Sequence, residues 1–258
     1  MNTTHFDAVI LDWAGTTIDY GCFAPVAAFQ QAFAEFGIQA TTAETRAPMG
    51  LLKHEHIKTM LQMDRIAQAW QETQGHAPSA QDVDAIYARF EPKMLATVAQ
   101  FTTLKPDTLQ AVAALREQGL AIGSTTGYTD AMMDIVVDKA AQQGYSPDNW
   151  VSADSTNGFG RPYPYMIFRN MEMLRLRDVR AIAKVGDTIS DIREGNNAGV
   201  FTIGVTEGSS LMGLGQEEFD ALSPEGRDES RAETRRQFLD AGADAVIDTL
   251  AELPDLLA

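Results

Sequence analysis

Lys53 stands where a lysine can become a nucleophile. It sits in Arg46-Ala47-Pro48-Met49-Gly50-Leu51-Leu52-Lys53-His54-Glu55-His56. Pro48 and Gly50 break the preceding segment, and Leu51, Leu52, Ile57 and Leu61 then recur at near-helical spacing. This predicts Lys53 near a helix N-terminus, with His56 three residues on and beside it on the same side. An electropositive helix end and nearby cations disfavour an ammonium, so its pKa is expected to fall. A lysine poised that way is a candidate for Schiff-base chemistry with a carbonyl. The plain alternative is a solvated surface cation, the ordinary fate of a lone helical lysine.

Four further polar positions follow apolar segments. Asp12 ends Phe6-Asp7-Ala8-Val9-Ile10-Leu11, and Thr126-Gly127 ends Leu120-Ala121-Ile122-Gly123-Ser124-Thr125. Thr126 offers a hydroxyl and Gly127 an unhindered backbone N–H, both suited to a phosphoryl oxygen. Arg161 precedes Pro162 and Pro164, which stiffen its approach, and a guanidinium binds two phosphate oxygens. Asp187 and Asp191 follow the run ending at Val185, and carboxylates there suit Mg²⁺, a hard ion with oxygen ligands. Each has a bland reading: a turn aspartate, a turn glycine, a surface arginine, a capping box at Thr188–Asp191. Four such coincidences on successive strand ends are harder to dismiss together than singly.

These positions need a sheet to hold them. Strands are predicted over Phe6–Asp12, Leu120–Thr126, Trp150–Ser152, Arg180–Val185, Val200–Val205 and Ala243–Ile247, with helical patterns between the later ones. The alternation predicts an α/β fold with a doubly wound, Rossmann-like parallel sheet, whose ligands bind outside the carboxyl ends of the strands. Residues 21–100 differ: helical patterns recur over Pro25–Phe36, Leu51–Met63, Arg65–Gln74 and Asp82–Val98, with no convincing strand. We read an all-helical cap at 21–100 inserted into a core of 1–20 and 101–258. Met60, Met63 and Trp70 read as its packing.

The chain has 258 residues, 45% apolar and 22% charged, with a net charge of −16. That is globular, ample for a sizeable core, and unlike a general nucleic-acid or anionic-membrane binder. The N-terminal stretch lacks a basic and apolar leader pattern, and no apolar run approaches the roughly 20 residues of a spanning helix. Cys22 stands alone, which excludes an intrachain disulfide and fits a reducing compartment. A cytoplasmic protein is expected.

The ordered set of Asp12-Trp13-Ala14-Gly15-Thr16, Thr126, Arg161 and Gly186-Asp187-Thr188-Ile189-Ser190-Asp191, with an insertion after the first loop, resembles the haloacid dehalogenase superfamily. Phosphatases of that superfamily place a second acid two residues after the nucleophile; here Ala14 stands there. A catalytically silent phosphate binder, a dehalogenase whose halide leaves without an acid, and a leaving group stabilised by other means all account for Ala14. An atypical phosphatase is disfavoured by it. Lys53 favours the third explanation, because a protonated imine is an electron sink for a breaking carbon–phosphorus bond.

Longer stretches sharpen the resemblance towards the phosphonatase branch: 12 to 17, Gly21-Cys22-Phe23-Ala24-Pro25, Arg46 to Lys53, Gly123 to Tyr128, and Gly160 to Pro164. The resemblance implies Mg²⁺-dependent hydrolysis of phosphonoacetaldehyde to acetaldehyde and phosphate, with Lys53 forming the imine and Asp12 taking the phosphoryl group. It implies Mg²⁺ on Asp12, Asp187 and the Ala14 carbonyl, with Asp191 supporting that loop. Thr126, Gly127 and Arg161 would bind the phosphonate, while His56, Tyr128, Met49 and Cys22 would line the site. It also suggests a homodimer, for which the apolar cap helices are the candidate interface.

Overall fold

The computed structural model describes residues 5–258; residues 1–4, counted in the expected core, lie outside the described residues. Strand β1 (Ala8–Leu11) is buried along its whole length and is followed by five helices: α1 (Ala24–Ala34), α2 (Thr42–Arg46), α3 (Lys53–Leu61), α4 (Asp64–Gln74) and α5 (Ala80–Thr97). Strand–helix alternation then runs α6 (Thr108–Glu117), β2 (Ala121–Thr125), α7 (Asp130–Gln142), β3 (Asn149–Val151), α8 (Tyr165–Leu174), β4 (Ile182–Gly186), α9 (Ile189–Ala198) and β5 (Phe201–Val205). Helices α10 (Gln216–Ala221) and α11 (Pro224–Asp240), β6 (Ala245–Ile247) and α12 (Leu253–Leu256) complete the chain.

The six strands form one sheet in the order β3-β2-β1-β4-β5-β6, parallel throughout. This is the predicted doubly wound α/β sheet. Because β1 pairs with β2 on one side and β4 on the other, the strand order reverses at β1, and the crevice this opens lies beyond Leu11 and Val185. Val9, Ile10 and Leu11 have at most 1% of their surface exposed. Such side chains contribute about 1.5–3 kcal/mol each on burial, which anchors the strand that presents Asp12.

In 21–100 the helices make their own aromatic core. The Phe29 ring stacks on Phe90 at 4.2 Å and on the His56 imidazole at 3.9 Å. The chain enters this segment through Asp19, whose carboxylate accepts the backbone N–H groups of Phe23 and Ala24 at 3.2 and 3.1 Å at the start of α1. It returns beside its own exit, where Ile18 bridges to Leu104. Helix α2 falls between the helical patterns predicted at Pro25–Phe36 and Leu51–Met63, where Thr41 and Glu44 form a capping box.

No exposed large hydrophobic side chain among the described residues lies within 21–100. The helices of 21–100 pack their large apolar side chains among themselves and against the rest of the chain. No helix is long and apolar enough to cross a membrane among the described residues.

Candidate active site

The nucleophile loop is held at both ends. The Asp12 N–H donates to the Val185 carbonyl at 3.0 Å, and the Trp13 carbonyl accepts from the N–H groups of Thr16, Thr17 and Ile18. The tight turn leaves Ala14 facing a cavity together with Asp12, Cys22, Met49, Lys53, Thr126, Gly127, Tyr128, Arg161 and Asp187. His56 and Asp191 stand behind this lining. The cavity encloses only about 20 Å³, room for little more than one water. Residues of 21–100, among them Met49, Gly50 and Lys53, thus lie tightly against the strand-end loops.

Lys53 is the first residue of α3, as its spacing predicted, yet only 2% of its surface is exposed. Its Nζ lies 4.9 Å from the centre of the Tyr128 ring and 5.8 Å from that of Phe29. Burial pulls its pKa down to about 8, while Cys22 and Asp12 pull the other way. The direction is the one expected from sequence, but the leading cause is burial, with the cation Arg161 a lesser contributor.

His56 is one helical turn away and buried. Its Nε2 donates to the Thr45 carbonyl at 2.8 Å, leaving Nδ1 as a buried acceptor with no partner among the described residues. Burial, then the charge of Lys53, hold its imidazole well below the usual range, so it is neutral. Cys22 lies in the turn before α1 with φ 54°, and burial keeps its thiol protonated by raising its pKa. Tyr128 is likewise pushed up by burial, and its hydroxyl is buried without a partner among the described residues.

At the other wall, the Tyr128 N–H occupies one lone pair of Thr126 Oγ1 at 3.1 Å, which leaves the hydroxyl proton free to donate. Gly127 has a steric reason the sequence did not disclose. A Cβ there would stand 3.0 Å from the carbonyl oxygens of both Gly50 and Leu51, so the loop before α3 lies directly over it. Gly50 itself has φ +85° and lies against Thr188, where a side chain would collide with Oγ1.

Arg161 is 4% exposed and bonded on three sides. Its Nη2 donates to Asp12 Oδ1 at 2.5 Å and to the Thr125 carbonyl at 2.9 Å, and lies 3.0 Å from Asp191 Oδ1.

Oxygen atoms of Asp12, Asp187 and Asp191 lie within 4.8 Å of one another, all buried. Burial and the charges of Asp12 and Asp191 push the Asp187 carboxyl well above its usual range. A crowd of buried carboxylates with hard oxygen donors fits a cation. Asp187 Oδ2 is oriented by the Ser210 N–H at 2.8 Å. Asp191 fills both of its readings: it caps α9 with Thr188 and pairs with Lys184 Nζ at 2.6 Å.

Sequence reasoning missed Lys184, Glu194, Lys105 and Ser210. Lys184 sits in the fully buried β4, and a lysine inside an apolar strand must find an anion, a signal that was present. Lys105, just past the exit from the helical segment, donates to the Gly15 carbonyl at 2.8 Å and so braces the nucleophile loop. Ser210 lies in a loop with no pattern to mark it.

The sequence profile of the haloacid dehalogenase-like hydrolases matches residues 6–199. The phosphonoacetaldehyde hydrolase of Lysinibacillus sphaericus (strain C3-41) is 47% identical over 251 residues, covering 97% of this chain and 93% of that protein. The bifunctional phosphonoacetaldehyde hydrolase/aminoethylphosphonate transaminase of Clostridioides difficile (strain 630) is 46% identical over 250 residues, 97% of this chain. The chain spans only 39% of that longer protein's length. A crystal structure of a phosphonoacetaldehyde hydrolase-like protein from Oleispira antarctica superimposes with a TM-score of 0.95 at 39% identity, covering 99% of this chain and 92% of that one.

Proposed function

Because the chain belongs to the haloacid dehalogenase-like hydrolases, and within them to the phosphonoacetaldehyde hydrolase family, we propose that it hydrolyses the carbon–phosphorus bond of phosphonoacetaldehyde to acetaldehyde and phosphate. The observation that carries this reading is a buried lysine of lowered pKa sharing one cavity with Asp12 and Arg161, where Ala14 offers no acid.

The Lys53 amine adds to the aldehyde and loses water, giving a protonated imine. Asp12 attacks phosphorus, and the carbon–phosphorus electron pair moves into the imine to form an enamine, so no alkoxide needs protonating. The enamine is protonated at carbon and the imine is hydrolysed, releasing acetaldehyde and free Lys53. Water then cleaves the aspartyl phosphate. Thr126, the Gly127 N–H and Arg161 hold the phosphonate oxygens. His56 Nδ1 has the free lone pair and the neutrality to accept a proton during imine formation, and Tyr128, Met49 and Cys22 enclose the aldehyde end.

Asp12, Asp187 and the Ala14 carbonyl would hold Mg²⁺, with Asp191 steadying their loop; when bound, the ion offsets the charge between Asp12 and the phosphonate. Removing metal with a chelator is expected to abolish turnover and adding Mg²⁺ to restore it. Full activity after chelation would instead favour a dehalogenase.

Residues 21–100 act as a cap over a core of 1–20 and 101–258, opening for substrate and closing to exclude water. Because imine formation needs the neutral amine, kcat/KM is expected to fall about tenfold per pH unit as pH drops below the Lys53 value of about 8, and to level off above it. A flat profile from pH 6 to 9 would contradict this. We place the protein in the cytoplasm as a homodimer, and sedimentation of the purified protein reads the second point.

A further inference from the structure

We propose that Glu194 is a positioning residue that aims Arg161 at the phosphonate. The proposal rests on the phosphonate-binding reading of Arg161 above. Glu194 lies on α9, one turn past Asp191, and is wholly buried. Its Oε2 accepts from Arg161 Nε at 2.9 Å and from Thr125 Oγ1 at 3.0 Å, and lies 3.6 Å from Lys184 Nζ. Its other oxygen, Oε1, has no partner among the described residues, so its polar contacts run through one atom.

The consequence for Arg161 is geometric. A guanidinium is a rigid plane, and fixing two of its nitrogens fixes the third. Glu194 holds Nε, while Asp12 and Thr125 hold Nη2. Nη1 is the nitrogen without a hydrogen bond to the described residues, in a side chain that lines the cavity. Without the Glu194 anchor, Nε is released and the plane is free to turn towards the Asp12 and Asp191 carboxylates beside it. The buried cluster sets two cations, Arg161 and Lys184, among three carboxylates, Asp12, Asp191 and Glu194, and losing Glu194 would leave Lys184 to draw Asp191 away from Arg161.

The test separates the two ends of the site. In Mg²⁺-loaded protein, inorganic phosphate is measured as a competitive inhibitor, and acetaldehyde is trapped on Lys53 with borohydride. Glu194→Gln keeps an acceptor but removes the charge, and hydrogen bonds to charged partners are the stronger ones. We expect the phosphate inhibition constant and the KM for phosphonoacetaldehyde to rise about tenfold, with acetaldehyde trapping within about twofold of wild type. Glu194→Ala should raise both constants further, and if it does not fold, Glu194→Gln decides alone. Unchanged phosphate inhibition in Glu194→Gln overturns the proposal, as does equal loss of phosphate binding and trapping, which marks general damage. Failure of the wild type to trap acetaldehyde would strike the imine reading instead, since phosphate inhibition is read without it.

Discussion

Lys53→Ala is expected to lose phosphonoacetaldehyde hydrolysis by a factor on the order of 10⁴ or more, since a group that forms the covalent intermediate cannot be replaced by its neighbours. The variant should still fold. Lys53 is a buried cation held by no ion pair among the described residues, and its Nζ contacts are the faces of Phe29 and Tyr128. Truncation removes that contact but also the cost of burying charge, so the melting temperature should move by no more than about 4 °C. Phosphate inhibition should persist, because Thr126, Gly127 and Arg161 are untouched. Turnover within tenfold of wild type would end the imine mechanism and return an atypical phosphatase to consideration.

Asp12→Asn is expected to abolish turnover by a similar factor while leaving the aldehyde end competent. An amide oxygen is a poor nucleophile towards phosphorus, and the change also deprives Arg161 Nη2 of its 2.5 Å charged partner. Imine formation at Lys53 does not use that carboxylate, so an adduct with phosphonoacetaldehyde should still form and be trapped by borohydride. The two variants then give complementary results: Lys53→Ala binds phosphate without an adduct, and Asp12→Asn forms the adduct without releasing phosphate. Phosphate release by Asp12→Asn at a measurable rate would show that another group or water attacks phosphorus directly.

The scaffold was legible because its signals are local. Short apolar runs ending in Asp12, Thr126 and Asp187 mark strand ends, and parallel strands between helices leave few topologies. Lys53 was legible for the same reason, with Pro48 and Gly50 marking the break before α3. What stayed hidden depends on residues 21–100 meeting the strand-end loops. The carbonyls of Gly50 and Leu51 press on Gly127 across more than seventy residues of chain, and no local pattern encodes that. The cause of the Lys53 pKa was hidden likewise, because its burial against Tyr128 depends on contacts distant in sequence.

Two other features were missed. No helix was predicted between Phe36 and Leu51, yet Thr41 with Glu44 opens α2 there. Glu194 drew no reading from the sequence, yet α9 turns it inward towards Lys184 and Arg161.

The central claim, that Lys53 forms an imine with the aldehyde, is tested most directly by mass spectrometry after borohydride treatment of the Mg²⁺-loaded protein with phosphonoacetaldehyde. Wild type should gain a substrate-dependent adduct on the peptide carrying Lys53, and Lys53→Arg should gain none. An unmodified Lys53 in protein that still turns the substrate over would contradict the account.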